Sequence, residues 1–403
     1  MKMIPDGVCA PQGFLANGIH CGIRRNRKRK DLAVIYSIKT ANAAAIYTSN
    51  LVKGAPLLVT REHLKDGKAQ AILCNSGNAN TCNPGGYQIA SDMCSLLADR
   101  LSIPRTDVVA ASTGVIGQKL DLAPIKSGIP RLVEGLGKNS SSAAEAIMTT
   151  DTRPKEAAVS FEIQGKECKI GGIAKGSGMI NPNMATMLAF ITTDCAVSSH
   201  LLEKALKEDA EDTFNMISVD GDTSTNDMAV ILANGLAGHS EIREEDLDFF
   251  KFKKALNQVT LRLSRMIAAD GEGATKLLEC KVTGAKTRSC ARLAAKAVIQ
   301  SPLFKAAMFG ADANWGRVLC ALGYSGADLD VDRIDVSFQS AAGRISVCKN
   351  GAAVEFSEER AKNILKENQV QVQIDLNQGD FSATSYGCDL SYDYVKINGE
   401  YKT

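Results

Sequence analysis

Histidine is scarce: there are four in 403 residues, His20, His63, His200 and His239, with no HxH or HxxxH pair among them. That withholds the usual signature of a His-built metal site and leaves a Ser-His-Asp triad without support. The twelve cysteines include no CxxC pair. The closest two, Cys74 and Cys82, lie in a Gly/Asn-rich stretch without paired ligand motifs, so no metal is expected and buried reduced thiols are. No apolar run approaches the ~18 residues of a membrane span. The start, MKMIPDGVCAPQGF, lacks the continuous apolar core of a signal peptide. Excess charge is missing too: 47 Lys+Arg against 45 Asp+Glu leaves +2, which excludes an acidic disordered chain and a dedicated polyanion binder. The Gly-rich pieces GEGATK and NPGG fit neither Walker A nor GxGxxG, so no cofactor is expected. What remains is a cytoplasmic protein, without nucleic-acid or membrane partners, whose chemistry falls to Thr, Ser, Lys, Glu and backbone groups.

The chain that is present, 45% hydrophobic and 23% charged, has the composition of a globular protein, and its length predicts two or three domains. β-Branched or apolar runs bounded by Gly, Asn and Asp predict strands at Ala33–Thr40, Gln70–Asn75, Val108–Ser112, Met187–Thr192, Met228–Ala233, Arg333–Gln339 and Val370–Leu376. Apolar residues at helical spacing predict helices over Tyr87–Leu101, Leu201–Phe214, Leu247–Ile267 and Ala291–Ile299. The mixture is α/β without regular βαβ alternation, which favours a layered sandwich over a doubly wound sheet. The polar, turn-rich stretch Cys280–Cys290 reads as a boundary before a smaller α+β domain. The basic run Arg24–Lys30 lacks neighbouring aromatics and reads as a solvated loop feeding the strand at Ala33.

The segment Ile173–Asp194, IAKGSGMINPNMATMLAFITTD, carries the most chemistry. Gly176 and Gly178 break a strand, Asn181-Pro182-Asn183 turns the chain, and Ala185 stands before Thr186 at the mouth of an apolar run. A threonine so placed suits an N-terminal nucleophile. With no histidine to serve as base, cleavage of the Ala185–Thr186 bond would free an α-amino group of pKa about 7.7–8.0 able to do so. The competing reading of the same residues is an ordinary threonine after a Pro-Asn turn.

Further motifs run nearly end to end: NSGNANTCN at Asn75–Asn83, ASTGVIGQ at Ala111–Gln118, MTTDTRPK at Met148–Lys155, VDGDTSTND at Val219–Asp227, DGEGATK at Asp270–Lys276, FGADANWGR at Phe309–Arg317 and the tail INGEYKT. Together with AKGSGMI and NPNMATMLAFITTD, this set resembles the ornithine acetyltransferase family, the bifunctional glutamate N-acetyltransferases of cyclic arginine biosynthesis. The resemblance implies a layered αββα sandwich of the N-terminal-nucleophile type with a smaller C-terminal domain. It implies autocatalytic cleavage between Ala185 and Thr186, with Thr186 as the acetyl-accepting nucleophile and Thr113 and Gly114 as the oxyanion hole. Thr152, Lys175, Thr186, Glu272, Asn398 and Thr403 match its substrate-contacting positions. The expected organisation is therefore 1–185 (the α fragment), 186–280 (the β fragment's part of the sandwich) and 281–403 (the smaller domain, its tail folded over the site), assembled as α2β2. Expected ligands are N2-acetyl-L-ornithine, L-glutamate and acetyl-CoA. Asp220-Gly221-Asp222 and Asn226-Asp227 resemble metal-binding runs by composition but lack EF-hand spacing, and are architectural in that context. The rival readings are an aminopeptidase or amidase on the same scaffold, told apart by release of acetate without glutamate, and a non-catalytic binding protein.

Overall fold

The structure, a computed structural model, describes residues 1–26, 28–181 and 187–400. Among these residues the strands form two sheets. The larger runs, in hydrogen-bonded order, Lys2–Ile4, Lys155–Ile163, Lys166–Lys175, Leu188–Thr193, Met228–Ala233, Leu32–Tyr47, Lys68–Asn78 and Val108–Val115, with Phe14–Ile19 added beside Leu32–Tyr47. The strand Leu32–Tyr47 forms a corner. Its first half pairs with Phe14–Ile19 and its second with Met228–Ala233. Its register against Lys68–Asn78 slips between Tyr36 and Ala41, the kind of irregularity that lets one strand pass from layer to layer.

Alternation along the strands sorts their apolar side chains. Ile35, Ile72, Val109, Phe190 and Val230 meet in a single inner cluster with Val8 and Phe14. On the opposite face, Val34, Leu73 and Val108 pack against the helices Gly86–Leu101 and Leu122–Glu134. Ile170, Ile191 and Ile231 pack against Ser199–Ala210 and Leu247–Ala269. The order helix, sheet, sheet, helix is the expected layered α/β sandwich, held by side chains each worth ~1.5–3 kcal/mol on burial. The long helix Leu247–Ala269 starts where the Asp246 carboxylate accepts the N–H groups of Asp248 and Phe249.

The second sheet orders Ala352–Ala353, Gly343–Lys349, Asp335–Ser340, Gln369–Asp375, Leu277–Ala285, Phe381–Cys388 and Ile217–Ser218. The strand Leu277–Ala285 runs straight through the boundary read at Cys280. Its Cys280 and Val282 are buried on either side of exposed Lys281, so a sequence that looks turn-rich is in fact half-buried alternation. Leu277, Tyr386 and Cys388 also join the cluster beneath Leu247–Ala269, so one helix serves both sheets. The basic loop is tied down rather than merely solvated: Arg24 Nη2 donates to Met148 O at 2.5 Å and Arg29 Nη1 to Thr149 O at 2.6 Å. No described helix is long and apolar enough to cross a membrane.

Candidate active site

The ends of several strands open on a cavity of about 160 Å³ lined by Thr113, Gly114, Lys175, Met187, Glu272 and Asn398, among others. Thr186 and Ala185, together with Thr403, lie outside the described residues. The chain on both sides of 182–186 borders the cavity, through Ile180 and Met187. Four places far apart in sequence, Thr113–Gly114, Lys175, Glu272 and Asn398, are thus gathered where the candidate nucleophile's neighbours lie.

Thr113 and Gly114 end the strand Val108–Val115, which pairs in parallel with Lys68–Asn78. Gly114 has φ +132°, and a Cβ there would stand 2.3 Å from Gly77 C and 2.5 Å from Asn78 N. No other residue fits so close a backbone approach. Asparagines on neighbouring elements fix the turn. Ser112 donates to Asn75 Oδ1 at 2.5 Å, and Asn226 Nδ2 donates to Ser112 O at 3.0 Å and Ala79 O at 2.6 Å. Thr81 and Thr225 in turn donate to Asn226 Oδ1 at 2.5 and 2.7 Å. The motifs NSGNANTCN and VDGDTSTND are therefore the two halves of one hydrogen-bonded brace behind the Thr113–Gly114 turn. The carboxylate of Asp220 accepts the N–H groups of Met179 and Ile180 at 2.6 and 2.8 Å, so the DGD run pins the approach to residue 182.

Lys175 closes the strand Lys166–Lys175 opposite Leu188. It is only 8% exposed and makes no ion pair or hydrogen bond with another described side chain, while facing the cavity. Glu272, also 8% exposed, accepts a hydrogen bond from Asn398 Nδ2 at 2.7 Å. Its carboxylate lies against Gly178, where a Cβ would come within 2.4 Å. The site thus presents one buried cation and one buried anion, the complement of a zwitterionic ligand.

Thr152 stands apart. It does not line this cavity: its N–H donates to Asp270 Oδ2 at 3.1 Å and its hydroxyl to Asp270 Oδ1. It belongs to an ion network that reading the sequence missed. Lys155, fully buried, bridges Asp151 at 2.7 Å and Asp270 at 2.5 Å. Asp151 Oδ1 also accepts the Gly176 N–H at 2.7 Å, and Ser177 donates to Asp270 O at 2.7 Å. The network thereby holds the Gly176–Gly178 turn against the loop that carries Glu272. Burial alone would raise Asp151, but the ammonium groups of Lys175 and Lys155 and the hydrogen bonds outweigh it and hold the carboxyl well below the usual range. The only sequence signal was the Asp151/Lys155 spacing inside MTTDTRPK.

Asp227, which the sequence reading takes with Asn226 as architectural, stands at the cavity itself. Burial pushes its carboxyl well above the ordinary range against the pull of Lys175. Its Oδ2 has no hydrogen-bond partner among the described residues.

Comparison with known proteins gives three findings. The ArgJ family model matches residues 15–403. The arginine biosynthesis bifunctional protein ArgJ of Caldanaerobacter subterraneus subsp. tengcongensis is 51% identical over the whole of both chains, and that of Listeria monocytogenes serovar 1/2a 45%, again over all of both. Among solved structures, the arginine biosynthesis bifunctional protein argJ of Bacillus halodurans is 44% identical with a TM-score of 0.50, covering 53% of this chain and 98% of its own.

Proposed function

The chain belongs to the ArgJ family and is an acetyltransferase of arginine biosynthesis, and on that premise we propose a ping-pong mechanism through an acetyl-threonine at Thr186. In the first half-reaction the Thr186 hydroxyl attacks the acetyl carbonyl of N2-acetyl-L-ornithine. The Thr113 hydroxyl and the Gly114 N–H receive the oxyanion. The α-amino group of Thr186 takes the hydroxyl proton and passes it to the departing amine, releasing ornithine and leaving an acetyl ester. In the second half-reaction the amino group of L-glutamate attacks that ester, forming N-acetyl-L-glutamate and restoring the hydroxyl. Acetyl-CoA is the second acetyl donor, in keeping with the word bifunctional in the relatives' names.

Lys175 takes the substrate carboxylate, and Glu272, held by Asn398, takes an ammonium group. Thr152 acts on this site through Asp270, and Thr403 completes it from the tail. Residues 1–185 form the α fragment and 186–403 the β fragment of a cytoplasmic α2β2 enzyme, with the smaller second-sheet domain at the C-terminal side.

The observation that carries this reading is the convergence of Thr113, Gly114, Lys175, Glu272 and Asn398 on one cavity beside Met187. A second supports autoprocessing. A fragment starting at Thr186 would hold 403 minus 185, or 218, residues, 54% of the chain, and the solved Bacillus halodurans chain covers 53% of it.

Intact mass tests the proposal. Wild-type protein should give two fragments separated between Ala185 and Thr186, with the second gaining one acetyl group on brief exposure to N2-acetyl-L-ornithine, while Thr186→Ala stays whole and unlabelled. A wild-type chain that is neither cut nor acetylated would overturn it.

A further inference from the structure

At the other end of the strand that carries Lys175, three metal-ligating side chains come together that no sequence motif joins. Cys168 lies seven residues before Lys175, roughly 23 Å along an extended strand. The antiparallel register that pairs Ile170 with Thr193, continued by two residues, sets Cys168 opposite Cys195. The loop after Met228–Ala233 is laced to the same place. Ala237 N donates to Asp194 O at 2.8 Å and Ile242 N to Ala196 O at 2.9 Å, and these bonds bring His239 over the pair. One ligand atom from each of Cys168, Cys195 and His239 lies within 4.8 Å of the others, and all three residues are buried.

From this geometry we propose that Cys168, Cys195 and His239 form a binding site for a thiophilic divalent cation, of which zinc is the representative. The absence of CxxC and HxxxH motifs argued against a metal only for ligands adjacent in sequence; here the sheet register and a bridging loop supply the spacing. Two thiolates and an imidazole are an established zinc donor set, completed by a fourth, exchangeable ligand. Loss of both thiol protons on binding makes the two sulfurs and the cation neutral together, so the burial that disfavours free thiolates ceases to oppose the bound form.

The imidazole is already prepared. His239 Nδ1 donates to Ser240 O at 2.8 Å, which leaves the lone pair on Nε2, the arrangement of a ligating histidine braced by a backbone carbonyl. The N–H of Ala196, which donates to Nε2 at 3.2 Å, gives up that contact to the cation. The Asp194 carboxylate lies beside the cluster but is taken by the N–H groups of Lys169 at 2.7 Å and Gln12 at 2.9 Å, so it braces the site without ligating. Bound there, a cation ties the base of the two strands whose far ends flank residues 182–186.

The test uses the full-length protein, stripped with a chelator and then offered Zn2+ or Co2+. Wild type should retain about one zinc per chain through gel filtration and give a thiolate-to-cobalt charge-transfer band in the near ultraviolet. Cys168→Ser, Cys195→Ser and His239→Gln, each checked for folding by circular dichroism, should bind at least about tenfold more weakly. Exposed Cys82, changed to Ser, should leave binding intact. Wild type that retains no zinc and shows no charge-transfer band would overturn the proposal. So would equal uptake by Cys168→Ser, or a Cys168–Cys195 disulfide in the peptide map of protein purified without reductant.

Discussion

Lys155→Met removes a fully buried ammonium while keeping most of its volume, leaving Asp151 and Asp270 facing each other's side of an emptied position. In the native protein that ammonium stands 2.7 Å from one carboxylate and 2.5 Å from the other. Breaking a buried pair from one side destabilises by ~3–5 kcal/mol, because the remaining charge keeps its desolvation penalty without its partner. Against a total stability of ~5–15 kcal/mol the loss is large. With an unfolding entropy of ~2.1 cal/mol/K per residue, a 403-residue chain melting as one unit loses ~4–6 °C.

The sign of the pH dependence follows from Asp151, whose folded carboxyl is held below its ordinary value. A carboxyl so depressed adds stability above its unfolded pKa of about 3.9, and that stability is lost as pH falls through the lower folded value. Lys155→Met weakens the depression, so its deficit should be greatest at neutral pH and shrink as pH falls below about 4 toward the lower folded value of Asp151. Thermal unfolding followed by circular dichroism at several pH values checks both features. A deficit under about 1 kcal/mol at pH 7, or one of equal size at both ends of the range, would refute the buried-network argument.

Thr113→Val keeps shape but removes a hydroxyl from the proposed oxyanion hole; kcat should fall by ~10²–10³ with little change in Tm, and an unchanged kcat would remove Thr113 from that role. Gly178→Ala drives a methyl into the Glu272 carboxylate, 2.4 Å away, so KM for N2-acetyl-L-ornithine should rise in steady-state assays, and an unaltered KM would detach Glu272 from ligand binding. Asp227→Asn replaces a carboxyl whose folded pKa is raised; such a group lowers stability as pH climbs from its unfolded toward its folded value. The variant should therefore melt higher than wild type at pH 8, with the gain fading toward pH 4, and a lower Tm at pH 8 would contradict it.

The elements that could be read from sequence were those with a clear period. Helices expected over Tyr87–Leu101 and Leu247–Ile267 appear as Gly86–Leu101 and Leu247–Ala269, because long apolar stripes dominate local preference. The stretch Cys280–Cys290 looks like a turn because its first half, the end of the strand Leu277–Ala285, shows its alternation only once the helix Arg288–Gln300 packs on Cys280 and Val282. At the site, Lys175 and Glu272 stood out through the resemblance, and the structure brings both to the cavity. The roles of Lys155, Asn226 and Asp227 were not legible, although the Asp151/Lys155 spacing and the Asn226-Asp227 run were visible: each matters through partners more than 100 residues away or through burial, which local sequence does not record. Cys168, Cys195 and His239 are the same case taken further, a cluster whose spacing exists only in the folded sheet.

The strand Leu188–Thr193 sits between Lys166–Lys175 and Met228–Ala233, and Met228–Ala233 pairs in turn with Leu32–Tyr47. A cut before Thr186 would therefore split one sheet between two polypeptides whose strands interleave. Neither piece would own a complete hydrophobic layer, so neither would be expected to fold by itself when expressed separately. Maturation would then act as a ratchet. The uncut chain folds as a single molecule at a rate indifferent to concentration, whereas the processed protein, once denatured, must find its other half by collision, and its recovery would fall with dilution.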